Sequence, residues 1–235
     1  MQIEIWSDYV CPFCYIGKRH LEQALEQFAH KDQVEVSFKS FELDPEVQTD
    51  PAVSIDESLA KKYGIPVAQA KEMNDQMIQR AAQSGLTYNF DNIKQINTLD
   101  AHRLAKYAES KGKGAEMAEK LLKAHFVESQ FIGGRDTLIK LAAEAGLDPE
   151  ETRTVLSSGQ FTEQVRSEEA EAATLGVRGV PFFVVNRKYA ISGAQPVSLF
   201  AETLEKVWQE EHPSAPLQHI ESSQDALCTD EKCDI

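Results

Sequence analysis

The chain has 235 residues, of which 42% are hydrophobic and 26% charged, which is typical of soluble globular proteins. Its net charge of −14 argues against binding nucleic acid or an anionic membrane through a bulk electrostatic field. No apolar run approaches the roughly 18 residues that span a bilayer, so we expect neither a nucleic-acid nor a membrane partner. The first residues, MQIEIWSDYV, lack the pattern of a secretory signal, which predicts a cytoplasmic location.

The N-terminal part of the chain predicts a strand, a helix and a second strand. The segment IEIW (3–6) is short and apolar, as a buried strand would be. Apolar residues then recur at helical spacing, at Leu21, Ala24, Leu25 and Phe28. The segment VEVSFKSFEL (34–43) alternates apolar and polar residues, which predicts a second strand. Strand, helix and strand in so short a span favour a βαβ unit.

The period of the apolar residues is helical from about residue 56 to residue 175. Pro66 suits the first position of one helix. Asn97 is predicted to cap another helix, and Asp148 with Pro149 is predicted to begin a third. These signals predict a helical block of roughly 110 residues.

Strand character returns in VPFFVVNRKYAISG (180–193), where NRK is predicted to form a tight turn between two antiparallel strands. The segment PVSLFAETLEKVW then predicts a last helix. Residues 210–235 differ, since seven acidic residues there accompany one lysine and few apolar residues, which predicts an acidic tail.

Two of the four cysteines, Cys11 and Cys14, are three positions apart at the start of the first predicted helix. The unpaired N–H groups and the dipole of a helix N-terminus favour a thiolate, which is the attacking species in disulfide exchange. Pro12 has the fixed φ that suits a first helical turn, and Lys18 adds a cation on the face of Cys14. The first sulfur is expected to be exposed and the second to lie just inside the turn.

Two alternatives for these cysteines remain open. Zinc would require four ligands, so a complete site would also need Cys228 and Cys233 from the tail, whose four-residue gap is wide for zinc. An inert buried cysteine is the other alternative for either residue alone. The pair at a helix start favours a redox role, and no metal is expected.

Three segments, SDYVCPFCYIGKRHLE, NTLDAHRLAKYA and GVRGVPFFVVNRKYAISGAQP, resemble the DsbA-type oxidoreductases of the FrnE family. The resemblance implies an α/β protein with a thioredoxin fold interrupted by an all-helical insertion. It implies that Cys11 is the nucleophile, that Cys14 resolves the mixed disulfide, and that Val180–Pro181 is a cis peptide lining the substrate groove. The implied domains are 1–50 plus 165–209 (thioredoxin fold), 51–164 (insertion) and 210–235 (tail).

Further candidate residues lie around the dithiol and in the segment NTLDAHRLAKYA, which matches the family. Pro12, Phe13, Asn97 and Thr98 are predicted substrate contacts. The aromatic residues Trp6, Phe13, Tyr15 and Phe182 are predicted to form an apolar rim for a peptide, although core packing explains Trp6 equally well. His102 is interpreted as a partly buried helix histidine. Cys228 and Cys233 resemble a second redox pair that exchanges electrons with the first pair or protects it, with incidental thiols as the equal alternative.

The resulting hypothesis is a cytoplasmic thiol–disulfide oxidoreductase that acts on protein or peptide thiols and disulfides. It requires no cofactor, and glutathione is a candidate reductant or ligand. One alternative is a glutathione-dependent enzyme related to 2-hydroxychromene-2-carboxylate isomerases or kappa-class glutathione transferases, in which a serine commonly stands at the position of Cys11. A second alternative is a non-enzymatic protein that binds clients.

Overall fold

The computed structural model of the protein describes residues 1–213. The chain begins with strand β1 (Gln2–Ser7), helix α1 (Pro12–Gln27), a 3₁₀ turn (Lys31–Gln33) and strand β2 (Glu35–Ser40). There follow β3 (Asp50–Ser54), α2 (Ile55–Tyr63), α3 (Val67–Ala82), β4 (Lys94–Gln95), α4 (Leu99–Ser110), α5 (Gly114–Phe126), α6 (Arg135–Glu144) and α7 (Pro149–Ser157). The last elements are α8 (Thr162–Thr174), β5 (Phe182–Val185), β6 (Tyr189–Ser192) and α9 (Val197–Glu211).

The central sheet has four strands in the order β2-β1-β5-β6. Strand β1 is parallel to β2 and antiparallel to β5, and β6 is antiparallel to β5. Ile5 is opposite Phe38 on one side and Phe183 on the other, so these three residues lie on the same face. The predicted thioredoxin-type order of β-α-β, insertion and β-β-α is therefore confirmed.

Each face of the sheet has its own helical cover. Ile3 and Ile5 pack with Leu21 of α1 and with Phe200 of α9 on one face. On the other face, Trp6 packs with Ala172 of α8, and its indole N–H donates to the Glu168 carbonyl at 3.0 Å. Because Trp6 has no exposed surface, it belongs to the core and not to the predicted aromatic rim.

The insertion forms a second core from α3 to α7 with residues that are almost fully buried, among them Leu104, Met117, Leu121, Leu138 and Leu156. The prediction that it is all-helical was wrong in one respect, because β3 and β4 form a small antiparallel sheet within it. Strand β4 has two residues, too few to show a period of two in the sequence. Helix α8 contacts both β2 and α4, so the division of domains near residue 165 stays a prediction.

Helix starts agree with the sequence to within one residue. Asp148 caps α7 by accepting from the N–H groups of Glu150 and Glu151, and Pro149 follows it, as predicted. Pro66 is the residue before α3 and not its first residue. Thr98, not Asn97, has the N-cap position of α4, although the Asn97 side chain still accepts from the Leu99 N–H at 3.0 Å.

The C-terminal elements agree with the sequence prediction in kind. The predicted NRK turn joins β5 to β6, with φ values of 49° at Asn186 and 54° at Arg187. Helix α9 continues to Glu211, so the first two residues assigned to the tail are helical, and Glu210 accepts hydrogen bonds from Lys188 and Tyr189. No helix within residues 1–213 is long and apolar enough to cross a membrane.

Candidate active site

The first turn of α1 is built around Cys11. Strand β1 ends at Ser7, and the Cys11 N–H donates to the Asp8 carbonyl at 3.1 Å, which turns the chain into the helix. Cys11 is the N-cap with extended backbone angles, and Pro12 is the first helical residue. The first turn contains no acidic residue, so no carboxylate competes with a sulfur anion for the positive end of the helix dipole.

The Val180–Pro181 peptide that faces Cys11 is cis, as the family resemblance implies. The Cys11 Sγ donates to the Val180 carbonyl oxygen at 3.4 Å. Gly17 permits this approach, since a Cβ atom there would lie 3.0 Å from the ring atoms of both Pro181 and Phe183. Gly17 has no local signal in the sequence, because the need for a glycine there depends on two residues more than 160 positions away.

Cys14 lies behind Cys11 and is 2% exposed, whereas Cys11 is 4% exposed. Both are free thiols. Burial raises the pKa of the Cys14 thiol well above its usual value, and its hydrogen bond to Cys11 raises that pKa further. Cys14 therefore keeps its proton, and Cys11 is the sulfur suited to attack first. The expectation that the Cys11 sulfur is exposed was wrong, because the residue is almost fully buried and its sulfur contacts the Val180 carbonyl.

A buried polar pair lies next to the dithiol. The Asp8 carboxylate approaches His102 Nε2 at 3.3 Å and accepts from the Leu43 N–H at 2.8 Å. The His102 ring packs on Tyr9, with 4.8 Å between ring centroids. Both Asp8 and His102 are 1% exposed, so His102 is fully buried and not partly buried as interpreted. The pair ties the turn before Cys11 to α4 of the insertion.

A second link joins the first turn of α1 to the insertion. The Tyr88 hydroxyl donates to the Pro12 carbonyl at 2.7 Å, and its ring stacks on Phe126. The Pro12 carbonyl therefore accepts the hydrogen bond that links α1 to the insertion. A contact of Pro12 with substrate stays a prediction. Tyr88 was missed in the sequence because it lies 76 residues from Pro12 in a segment with no recognisable motif.

A cleft of about 690 Å³ opens beside the cis peptide. Its walls are the first turns of α1, the end of α3, the Val180–Pro181 peptide and residues 193–197. Phe13 is half-buried in one wall, and the Arg80 guanidinium lies 4.9 Å from its ring centroid. His20 crosses the floor, contacting the Gln195 carbonyl through Nδ1 at 2.7 Å and Ser84 Oγ through Nε2 at 2.8 Å.

Several predicted site residues lie elsewhere. Tyr15 is 1% exposed and its hydroxyl donates to Glu119, so it belongs to the core and not to a rim, while Phe182 is half-buried beside Trp6. The Asn97 amide N–H₂ donates to the Pro45 carbonyl and its backbone N–H to Thr49. Neither Asn97 nor the buried Thr98 lines the cleft, so their contact with substrate stays a prediction.

Lys18 does not supply a free cation to Cys14, which corrects the sequence analysis. Its ammonium pairs with Glu22 and Glu119, and Arg19 pairs with the same two carboxylates. Burial by itself would raise the pKa of Glu119, but hydrogen bonds from Lys18, Tyr15 and Arg19 lower it to about 2. We call these four charged residues the α1–α5 charge cluster: Lys18, Arg19, Glu22 and Glu119.

The second cysteine pair, Cys228 and Cys233, lies outside the described residues. Within residues 1–213, no group of three or more His, Cys, Asp or Glu side chains is arranged to hold a metal ion.

The sheet, the dithiol at the start of α1 and the facing cis proline define the class of thioredoxin-fold proteins. Within that class, the chain belongs to the DSBA-like thioredoxin domain family, which matches residues 2–205. The assignment to the FrnE type within the family stays a prediction.

Individual relatives agree with this placement. The chain is 32% identical over 214 residues to the uncharacterized protein YwbO of Bacillus subtilis (strain 168), covering 87% of this chain and 96% of that protein. The crystal structure of a probable DsbA oxidoreductase from Streptomyces coelicolor is similar with a TM-score of 0.83 and 39% identity, covering 94% of each chain. A 2-hydroxychromene-2-carboxylate isomerase shares the fold, with a TM-score of 0.66 and 14% identity over 90% of this chain and 98% of that one.

Proposed function

We propose that the protein is a thiol–disulfide oxidoreductase that acts on protein or peptide substrates through Cys11 and Cys14. One observation carries the proposal: Cys11, at the N-cap of α1, is 3.4 Å from the Val180 carbonyl, and a second thiol lies behind it in the same turn. A metal site or an inert core cysteine would not require this combination of dithiol, helix start and adjoining cleft.

The reaction has two exchange steps. The Cys11 thiolate attacks one sulfur of a substrate disulfide, and the other substrate sulfur leaves as a thiolate. Cys14 then attacks the Cys11 sulfur of the mixed disulfide, which releases the second substrate thiolate, and the Cys14 proton passes to a released sulfur. The raised pKa of Cys14 keeps it protonated until the mixed disulfide forms, so the order of attack is set by the two environments.

The segment before the cis peptide is suited to hold an extended substrate. Among the described residues, no hydrogen bond is donated by the backbone N–H groups of residues 178–180. The segment continues into β5, which lies within the sheet. An extended peptide pairing with residues 178–180 would bring its own cysteine to Cys11, as in strand addition.

The proposed chemistry needs no metal or organic cofactor, because the two electrons move with the sulfur–sulfur bond. Glutathione is proposed as a candidate reductant or ligand. Cys228 and Cys233 are proposed as a second pair that exchanges electrons with the first.

Steady-state insulin reduction by the wild type and by Cys11→Ser tests the proposal. We expect turnover with the wild type and none with Cys11→Ser, whose folding is checked by its thermal unfolding transition. Equal turnover by the two proteins would refute the role of Cys11. A parallel glutathione-conjugation assay examines the isomerase or transferase alternative, for which we expect no conjugate above the uncatalysed rate.

A further inference from the structure

The cleft beside Cys11 differs in charge from the rest of the molecule. The sequence has 38 acidic residues against 24 lysines and arginines. Yet no aspartate or glutamate among residues 1–213 lines the cleft, and the basic side chains that line it there are His20 and Arg80. In so acidic a protein, a negatively charged ligand is repelled less at this cleft than at the carboxylate-rich parts of the surface.

The arginines of the chain fall into two groups. Six form ion pairs with carboxylates: Arg19, Arg103, Arg135, Arg153, Arg166 and Arg187. The other two, Arg80 and Arg178, form no ion pair within residues 1–213 and are exposed. Both belong to segments close to Val180, whose carbonyl accepts from Cys11. Arg80 lines the cleft, and Arg178 is two residues before Val180, so its Cα lies within about 7 Å of the Val180 Cα.

An aromatic ring orients the Arg80 guanidinium, and no carboxylate of the described part of the chain pairs with it. It lies over the Phe13 ring at 4.9 Å from the centroid, which orients the group and leaves its N–H donors available. His20 is held on the cleft floor by two hydrogen bonds. Its Nδ1 must carry a proton because the Gln195 carbonyl can only accept, and neutral Nε2 then accepts from the Ser84 hydroxyl.

We propose that Arg80 and Arg178 select protein or peptide disulfides whose reacting cysteine is flanked by aspartate or glutamate. This inference rests on the proposed oxidoreductase function and names its substrate class. The two arginines belong to different segments: Arg80 lines the cleft, and Arg178 belongs to the segment whose N–H groups donate no hydrogen bond within residues 1–213. An extended chain with carboxylates near its cysteine can meet both, whereas a neutral or basic chain gains nothing from either.

The reaction is a two-electron exchange. The reduced dithiol loses two electrons and becomes the Cys11–Cys14 disulfide, and the peptide disulfide gains them and becomes two peptide thiols. The guanidiniums bind and orient the substrate, and they take no proton from the sulfurs.

The test uses three disulfide-linked peptide dimers that differ in the residues on both sides of the cysteine, which are glutamate, glutamine or lysine. Release of peptide thiol from the reduced full-length protein is measured by chromatography after an acid quench. At low salt we expect the glutamate peptide to react at least about tenfold faster than the lysine peptide, and the ratio to shrink as salt is added. Arg80→Gln and Arg178→Gln should each reduce that ratio about threefold.

Arg153→Gln is the matched control, since it removes the same charge from an exposed, ion-paired arginine on α7. It should leave the ratio unchanged. Comparing each variant with the wild type on one peptide cancels intrinsic differences in disulfide reactivity. Reduction of glutathione disulfide is measured in parallel, because this small molecule also carries carboxylates but is too short to lie along the segment as an extended peptide.

Equal rates with the three peptides, or ratios unchanged in Arg80→Gln and Arg178→Gln, would overturn the inference while leaving the oxidoreductase proposal intact. An arginine effect confined to glutathione disulfide would also overturn it, and would identify a small-molecule subsite. Absence of reaction with any of the four disulfides would instead refute the proposed function itself.

Discussion

The first turn of α1 and the α1–α5 charge cluster, three of whose four residues lie on the same helix, differ in how their polar groups are paired. In the cluster, Lys18 and Arg19 are each paired with both Glu22 and Glu119. In the first turn, Cys11 and Cys14 are buried, and their hydrogen-bond partners are backbone groups and neighbouring side chains without a charge of their own.

The residues of α1 that stabilise the fold are therefore different from the residues of α1 that react. Charges that the insertion covers are compensated, since an unpaired buried charge is costly. At the helix start no ion pair fixes the sulfur in either charge state, so the thiolate depends on the helix terminus and is free to react. Changes in the first turn should therefore abolish exchange, and changes in the cluster should lower stability.

The largest effect is expected for Cys14→Ser. Without the second thiol, the mixed disulfide on Cys11 must wait for an external thiol, which at millimolar concentration reacts far more slowly than an intramolecular one. We expect insulin reduction to fall about 100-fold or more, and a Cys11–substrate adduct to accumulate. Mass spectrometry after thiol alkylation detects the adduct. As a control, the Cys11→Ser protein should form no adduct. Full turnover by the Cys14→Ser protein without an adduct would contradict the assigned order of attack.

A smaller effect on stability, with little effect on exchange, is expected for Glu119→Gln. The change removes the carboxylate that accepts from Lys18, Arg19 and Tyr15, and Lys18 is buried. We expect the free energy of unfolding in urea at pH 7 to fall by about 2 kcal/mol, the scale of hydrogen bonds to a charged group. The matched control is Glu116→Gln, also on α5, whose ion pair to Lys113 is long at 3.9 Å.

The control should change the free energy of unfolding by less than about 0.5 kcal/mol. A Glu119→Gln protein as stable as the control would show that the cluster does not stabilise the packing of α1 on α5. A large loss of insulin reductase activity at 25 °C in a folded Glu119→Gln protein would contradict the separation of the two regions.

The contribution of Glu119 should also depend on pH in a defined direction. Its pKa is about 2 in the folded protein and near the ordinary 4.5 when unfolded. Since the folded pKa is the lower one, the stabilisation is complete above pH 4.5 and is lost as the pH falls toward 2. The difference in unfolding free energy between wild type and Glu119→Gln should narrow over that range. A constant difference from pH 6 to pH 2.5 would refute the assignment.

The smallest effect on turnover is expected for the double change Cys228→Ser/Cys233→Ser. Insulin reduction should stay close to that of the wild type, since Cys11 and Cys14 perform both exchange steps. The recovery of the Cys11–Cys14 dithiol after oxidation should change, because the proposed second pair would no longer exchange electrons with it. Recovery is followed by alkylation of free thiols over time. Recovery identical to the wild type would identify the tail thiols as incidental.

The structure also indicates which site residues a sequence can reveal. Cys11, Cys14 and Pro12 form a local pattern, and the alternation in residues 34–43 and 180–193 places the strands around them. Asp8 is three residues before Cys11, but its role was not found because its partner, His102, is 94 residues away. Tyr88 and Gly17 were missed for the same reason, since each is defined by contacts with distant parts of the chain.

The predicted aromatic rim was wrong for Trp6 and Tyr15, because the sequence near a motif does not distinguish an aromatic residue that lines a cleft from one that fills a core. Trp6 alternates onto the α8 face of the sheet, and Tyr15 points into the insertion. Lys18 was assigned to Cys14 from its spacing along the helix, but a carboxylate on α5, 101 residues away, is its partner.

The amino-acid sequence by itself determined the kind of each main element, the helical block between the two groups of strands and the place of the dithiol, because these depend on periodicity and short spacing along one chain. Tertiary structure alone decided the near-complete burial of Cys11, the pairing of every charge in the α1–α5 charge cluster and the unpaired state of Arg80 and Arg178 within residues 1–213. These properties depend on which side chains meet after folding, and solvent exclusion and charge pairing have no signature in a local pattern.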